Sequence, residues 1–316
     1  MAPLAHTLAL LTITVATVAI RVVPLDMARE CFDDQYRGCG PAMTAALPAF
    51  NRSEFQKNPL FARVWVKAVA EWQSQGSRVS PLSSPDQAIA LMAYTMPDVH
   101  KDFNAAVRAA GRSAQEYRKN FHFKTLHFLL AQALGTLRHT QNTQCCHVFR
   151  GVRDVHFKAQ PGQRVRFGQF TSTSLSNKTA QRFGRGTRFG VHTCHGVDIQ
   201  QFSNYPWEEE VLFPPFETFE VTEVAQDGCS TWIWLRSTGT FSKYNCEFQR
   251  TQPPFIPISR PHLAHILSPS VEWGCWEGAA FPNHMPHIPL EQVISDNPKF
   301  RLFGLCKRLC GDPFLL

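Results

Sequence analysis

Charge is scarce in this chain. Only 18% of its 316 residues are Asp, Glu, Lys or Arg, against about 25% in an ordinary soluble protein. The formal net charge is +7, yet the basic residues are scattered. There is no basic helix and no basic–aromatic stripe, so nucleic acid is excluded as a partner. Only a mild attraction for anionic ligands follows from the excess. Long apolar runs are also missing. Leu8–Ile20 is apolar and uncharged, but a spanning helix needs about 20 residues, so stable membrane insertion is not expected. Zinc-ligand spacing is absent as well. No Cys-x-x-Cys pair has partners, and Cys306/Cys310 with His262/His265 form no repeated pattern, so no metal is expected. No internal repeat is evident. With 44% hydrophobic residues, the composition of a disordered chain is excluded too.

The stretch Leu8–Ile20, ended by Arg21, fits the apolar region of an export signal, with cleavage near Val22–Leu25. A buried N-terminal helix is the alternative. Ten cysteines agree with export, because an oxidising compartment favours disulfides. Two glycosylation triplets, at Asn51 and Asn177, point the same way.

The chain divides into an export signal (1–23), a helical part (24–140), a β-rich core (141–250) and a Pro-rich tail (251–316). Apolar residues at three- and four-residue spacing predict helices over Phe61–Ala70 and His122–Leu137. Pro85 opens another that runs through Tyr94, and Lys101–Ala110 makes one more. Ser113 with Glu116 reads as a capping box. From Cys145 onward, short β-rich runs alternate with turns such as Pro161-Gly162 and Asp227-Gly228. A short helix is expected at Thr179–Phe183. Helices followed by strands predict an α+β fold.

Three pieces in order carry the chemistry. Phe149-Arg150-Gly151 offers a guanidinium fork for phosphate and a glycine that admits a ligand near the backbone. Phe170-Thr171-Ser172-Thr173-Ser174 puts Ser172 and Ser174 on one strand face, where buried hydroxyls want a ribose or a carboxylate. In Glu208-Glu209-Glu210, an extended chain sends Glu208 and Glu210 to the same side. Like charges so placed disfavour each other unless they are used or well solvated. One can steady a cationic transition state while the other orients a nucleophile.

These motifs resemble the vertebrate extracellular mono-ADP-ribosyltransferases of the arginine-specific, R-S-E type. The resemblance covers about residues 25–250. It includes Leu25-Asp26-Met27-Ala28, Phe32-Asp33-Asp34-Gln35-Tyr36, and the run Glu208-Glu209-Glu210-Val211-Leu212-Phe213-Pro214-Pro215-Phe216-Glu217. It implies a helical part packed on a β-sandwich core of the ADP-ribosyltransferase type. It also implies NAD as co-substrate and proteins with exposed arginines as acceptors. By resemblance, Arg150, Ser172 and Glu210 are catalytic. Arg150 binds the diphosphate, Ser172 holds the ribose and Glu210, and Glu210 stabilises the oxocarbenium-like state as nicotinamide leaves. Glu208 orients the target guanidinium. Gly151, Gln169, Ser203 and Tyr94 would line the nucleotide site. Phe183 would pack near nicotinamide, although a core aromatic of the short helix would read the same way. The resemblance further implies the disulfides Cys39–Cys246 and Cys145–Cys194.

Lys307, Arg308 and Asp312 interrupt the end of the chain, unlike the apolar tail exchanged for a lipid anchor. A secreted, soluble enzyme is therefore expected, extracellular or in a secretory granule. Two other readings remain open: an NAD glycohydrolase, with water as acceptor, and a non-catalytic binding protein on the same fold.

Overall fold

The computed structural model of the protein describes residues 21–141, 144–228 and 230–250. The expected signal up to residue 20, the tail 251–316 and Cys229, Cys275, Cys306 and Cys310 lie outside the described residues. A short strand β1 (Arg21–Pro24) opens the described chain. Six helices follow: α1 (Gly40–Lys57), α2 (Pro59–Ser74), α3 (Pro85–Thr95), α4 (His100–Ala110), α5 (Ala114–Lys119) and α6 (Lys124–Thr140). The β-rich part holds β2 (Cys146–Val152), β3 (Val155–Lys158), β4 (Arg164–Val165) and β5 (Thr171–Ser174), then helix α7 (Asn177–Arg182). It continues through β6 (Thr187–Thr193), β7 (Val197–Asp198), β8 (Glu210–Phe213), β9 (Glu217–Asp227) and β10 (Ser230–Thr240), and ends in α8 (Glu247–Arg250).

Local chemistry sets the helix starts. Asn58 accepts from the Phe61 amide at 3.0 Å with Pro59 following, and Ser84 accepts from Gln87 ahead of α3. Each cap satisfies an amide that the helix itself cannot. Ser113 likewise accepts from Glu116 at 3.1 Å. The Glu116 carboxylate bonds Asn120 instead of returning to the cap, so only half of the expected box forms. Helix α3 is buried from Gln87 to Tyr94. It packs with α6 in one core that includes Phe103, Leu126 and Leu130.

Eight strands run in the order β4-β9-β10-β6-β2-β5-β8-β7, with β10 and β6 parallel and the other pairs antiparallel. Five strands and three strands meet at β2 and β5, where a single rung pairs Phe149 with Ser174. The α+β architecture is as expected, with its two groups of strands joined at this seam. Strand β8 alternates between two cores. Val211 and Phe213 pack inside the sheet with Val191 and Ile233, while Leu212 joins the helical core. Glu210 shares the parity of Leu212 and so faces the helices.

Buried charges fasten the N-terminal segment to the sheet. Asp33 and Arg166 pair at 2.6 Å with both side chains fully buried. Arg166 also donates to the carbonyls of Met27 and Phe241, and Asp33 accepts from the amides of Lys243 and Tyr244. Asp34 accepts from the amides of Tyr36, Cys246 and Glu247. That set places Cys246 beside Cys39, and the two are joined. A second disulfide links Cys145 to Cys194. Asn51 lies within α1 and Asn177 opens α7.

Candidate active site

A cleft of about 500 Å³ opens between α3, α4 and the β2–β5–β8 region. Its floor is Arg150. The β2 strand delivers it next to the seam, and its guanidinium donates to the Ser172 carbonyl at 2.6 Å. Burial pulls Arg150 below the ordinary guanidinium range, while Tyr94 and Glu210 oppose that shift.

Ser172, Ser174 and Glu210 share one face, because β5 and β8 pair with Ser174 opposite Glu210. Tyr94 comes from α3 and is buried. Its hydroxyl donates to the Phe170 carbonyl at 2.9 Å and accepts from Ser172 at 3.3 Å. Burial pushes the Tyr94 phenol up to about 12, so it remains a neutral donor.

Glu210 is only 6% exposed. Burial raises its carboxyl to about 7, and the nearby Glu208 charge adds to the rise. The Ser172 and Ser203 hydroxyls and the Arg150 charge work against it. Glu208 is half-buried, and its carboxyl is also raised by burial, with Arg182 opposing.

Glu208 and Glu210 line the same cleft, but not by extended alternation as the sequence suggested. Pro206–Glu208 form a 3₁₀ turn, and Glu209 adopts φ +50°. A non-glycine residue there is uncommon and is often found near functional sites. This turn aims both carboxylates inward, while the Glu209 side chain stays exposed.

Gly151 lines the cleft as well, and packing on its other side demands a glycine there. A Cβ at this position would meet the carbonyls of Ala180 and Gly184, each at 2.4 Å. The glycine is required by packing alone, because α7 and the turn after it sit directly on β2. Ser203, expected at the nucleotide, is fully buried and lies behind Glu210 rather than in the cleft lining. Gln169 lines the cleft and accepts from Arg108. Phe183 is 50% exposed at the cleft, so it is no core aromatic.

Helix α4 supplies residues that the sequence reading passed over. His100, Asn104 and Arg108 all line the cleft. Their four-residue spacing on one helix face was the available signal. The amide nitrogen of Asn104 donates to Phe170 at 3.1 Å, yet its Oδ1 is buried without a partner. Such an orphan acceptor beside a cleft suits a ligand donor. Arg153 and Lys101 add positive charge to the rim.

A mixed sheet flanked by helices, with an arginine floor and a paired-glutamate wall, defines an ADP-ribosyltransferase architecture. Three solved structures of the mono-ADP-ribosyltransferase ART2.2 share it at 35–37% sequence identity. They match with TM-scores of 0.60–0.61, covering 72% of this chain and 98% of theirs. One of them is a complex with NAD. The sequence model described as NAD:arginine ADP-ribosyltransferase matches residues 25–243, and the chain belongs to that family. The erythroblast NAD(P)(+)–arginine ADP-ribosyltransferase of Gallus gallus is 51% identical over 232 residues, covering 72% of this chain and 77% of that protein. The human GPI-linked NAD(P)(+)–arginine ADP-ribosyltransferase 1 is 47% identical over 245 residues, covering 72% and 74%.

Proposed function

We propose that the protein transfers ADP-ribose from NAD to arginine side chains of proteins, releasing nicotinamide. One observation carries this reading for the site: a buried carboxyl, Glu210, converges with Ser172, Arg150 and a second carboxyl, Glu208, on one cleft. Arg150 binds the diphosphate, with Lys101, Arg108 and Arg153 adding to the positive field. Ser172 and Glu210 hold the nicotinamide ribose. As the bond from ribose to nicotinamide breaks, positive charge develops on the sugar and the Glu210 carboxylate faces it. A preorganised charge in a dry site is often the largest catalytic contribution. Glu208 receives the guanidinium of the acceptor, whose nitrogen forms the new bond to the sugar as its proton leaves. Phe183 packs on the nicotinamide side of the cleft.

The enzyme acts on the far side of the secretory pathway. Two disulfides among the described residues suit an oxidising compartment. No helix among the described residues is long and apolar enough to cross a membrane.

Incubation of the purified protein with labelled NAD and agmatine tests the reading. A labelled agmatine adduct together with free nicotinamide is expected. Free ADP-ribose without adduct would identify a hydrolase, and neither product would identify a binding module.

A further inference from the structure

Away from the cleft, two cross-strand pairs share one side of the β2–β6 ladder. His147 lies directly opposite His192, while the adjacent rung, Cys146 opposite Thr193, faces the other side. Cys145 therefore continues the ladder opposite Cys194, to which it is joined. Residues two apart on a strand share a face, so Cys145 and His147 stand beside His192 and Cys194. The donor atoms of Cys145, His192 and Cys194 lie within 4.8 Å of one another. The two imidazole rings are 4.6 Å apart. Cys145 and His147 are exposed, and His192 and Cys194 half-buried, so solvent species reach all four. None of them lines the cleft.

We propose that this is a redox-gated site for a divalent cation of zinc type. While Cys145–Cys194 is oxidised, its sulfurs are not thiolate ligands. Once the bond is reduced, Cys145, Cys194, His192 and His147 form a tetrahedral Cys₂His₂ set, and the ion replaces the disulfide as the staple between β2 and β6. Tetrahedral zinc holds sulfur at about 2.3 Å and nitrogen at about 2.0 Å, so its donors lie within about 4 Å of each other. Rotation of the exposed Cys145 and His147 side chains closes the remaining gap. A small-molecule dithiol supplies the two electrons and two protons and is itself oxidised to a cyclic disulfide. Cys145 and Cys194 become thiols, and Zn²⁺ then displaces their two protons to solvent.

Cys146 does not compete for the ion. It has the opposite parity and packs against the sheet interior. The staple matters because β2 runs on from His147 to Arg150, so its register with β6 fixes the cleft floor.

The test uses the full chain, reduced with a dithiol that is then removed without air. Titration with Co²⁺ should give a single saturable site with thiolate-to-cobalt charge-transfer absorption, displaced by Zn²⁺. Zn²⁺ should raise the Tm of the reduced protein by several degrees and leave the oxidised protein unchanged. The double substitution His147→Ala/His192→Ala keeps the disulfide and folds in the oxidised form. After reduction it should bind Co²⁺ at least tenfold more weakly and gain no Tm, whereas Cys146→Ser should behave as the parent. The proposal is overturned if the reduced parent shows no thiolate band. It is equally overturned if the band and affinity survive in Cys145→Ser or in the double histidine variant, since other cysteines would then be responsible. Should reduction unfold the metal-free chain, Zn²⁺ must restore the native circular dichroism; failure to do so also overturns the proposal.

Discussion

The Ser174 hydroxyl donates to the backbone carbonyl of Glu208 at 2.7 Å. One strand residue thereby fixes the turn that carries the acceptor-side carboxylate. Replacing Ser174 with Ala removes a bond of about 1 kcal/mol and loosens that turn. The expected result is a roughly fivefold drop in the ratio of agmatine transfer to NAD hydrolysis, with NAD affinity nearly unchanged. Parallel measurement of both products and of NAD binding checks it.

Glu210→Gln separates catalysis from stability. Transfer should fall by at least about 10²-fold in kcat, the usual loss when a preorganised group facing transition-state charge is removed. Folding should change in the opposite direction. The Glu210 carboxyl is raised from 4.5 to about 7 in the fold, so the folded chain holds that proton more tightly than the unfolded one. Its stabilising contribution is complete below about pH 4.5 and is lost as pH rises through about 7. The Gln variant should therefore be the more stable protein above pH 7, by up to about 3 kcal/mol. The difference should vanish toward pH 4.5. Denaturant midpoints across that range read the effect.

The same carboxyl sets the pH profile. Catalysis needs its ionised form, so kcat/KM for NAD hydrolysis should fall on the acid side of about pH 7. Glu208 contributes a like charge that helps hold Glu210 up. Glu208→Gln should therefore shift the acid limb to lower pH while transfer to agmatine collapses and some hydrolysis remains. A limb that stays in place would show that the two carboxylates do not interact.

How much of this arrangement could be read from the residues alone depends on the element. Strand β8 was readable from the residues, because the short apolar run Val211-Leu212-Phe213 lies between an acidic triplet and a Pro-Pro turn. Helix α1 was not, since Pro48 sits inside it and its buried residues Met43, Leu47 and Glu54 make a sparse pattern. Strands β1, β3 and β7 are two to four residues long, too short for periodicity to rise above background. The identities of Arg150, Ser172, Glu208 and Glu210 were legible as a set, and they do meet in one cleft. The path that brings Glu208 there was hidden, because a 3₁₀ turn followed by a left-handed glutamate has no sequence period. The Cys145/His147 and His192/Cys194 constellation was missed for a related reason. Zinc-finger spacing counts residues along the chain, while these donors are neighbours across a ladder.

Gly151→Ala should be among the most damaging small changes. Its methyl would press on two backbone carbonyls at 2.4 Å, and backbone cannot swing aside as a flexible side chain can. A loss of several kcal/mol is expected, in the upper range for point substitutions. The variant should be recovered mostly as aggregate, or with a Tm lowered by many degrees. A parent-like Tm together with weakened NAD binding would instead assign the glycine to ligand approach.

The two groups of strands touch at one rung, Phe149 against Ser174, and beside it Arg150 reaches across to the Ser172 carbonyl. A side chain thus serves as the second stitch in a seam that backbone pairing leaves almost open. That side chain is also the one assigned to grip the diphosphate. Loading and unloading NAD would then tug on one of the few stitches seen between the two halves of the sheet. The amides of Ser172–Ser174 become a strain gauge for occupancy, and hydrogen exchange there should slow when NAD is bound and quicken when nicotinamide and ADP-ribose have left.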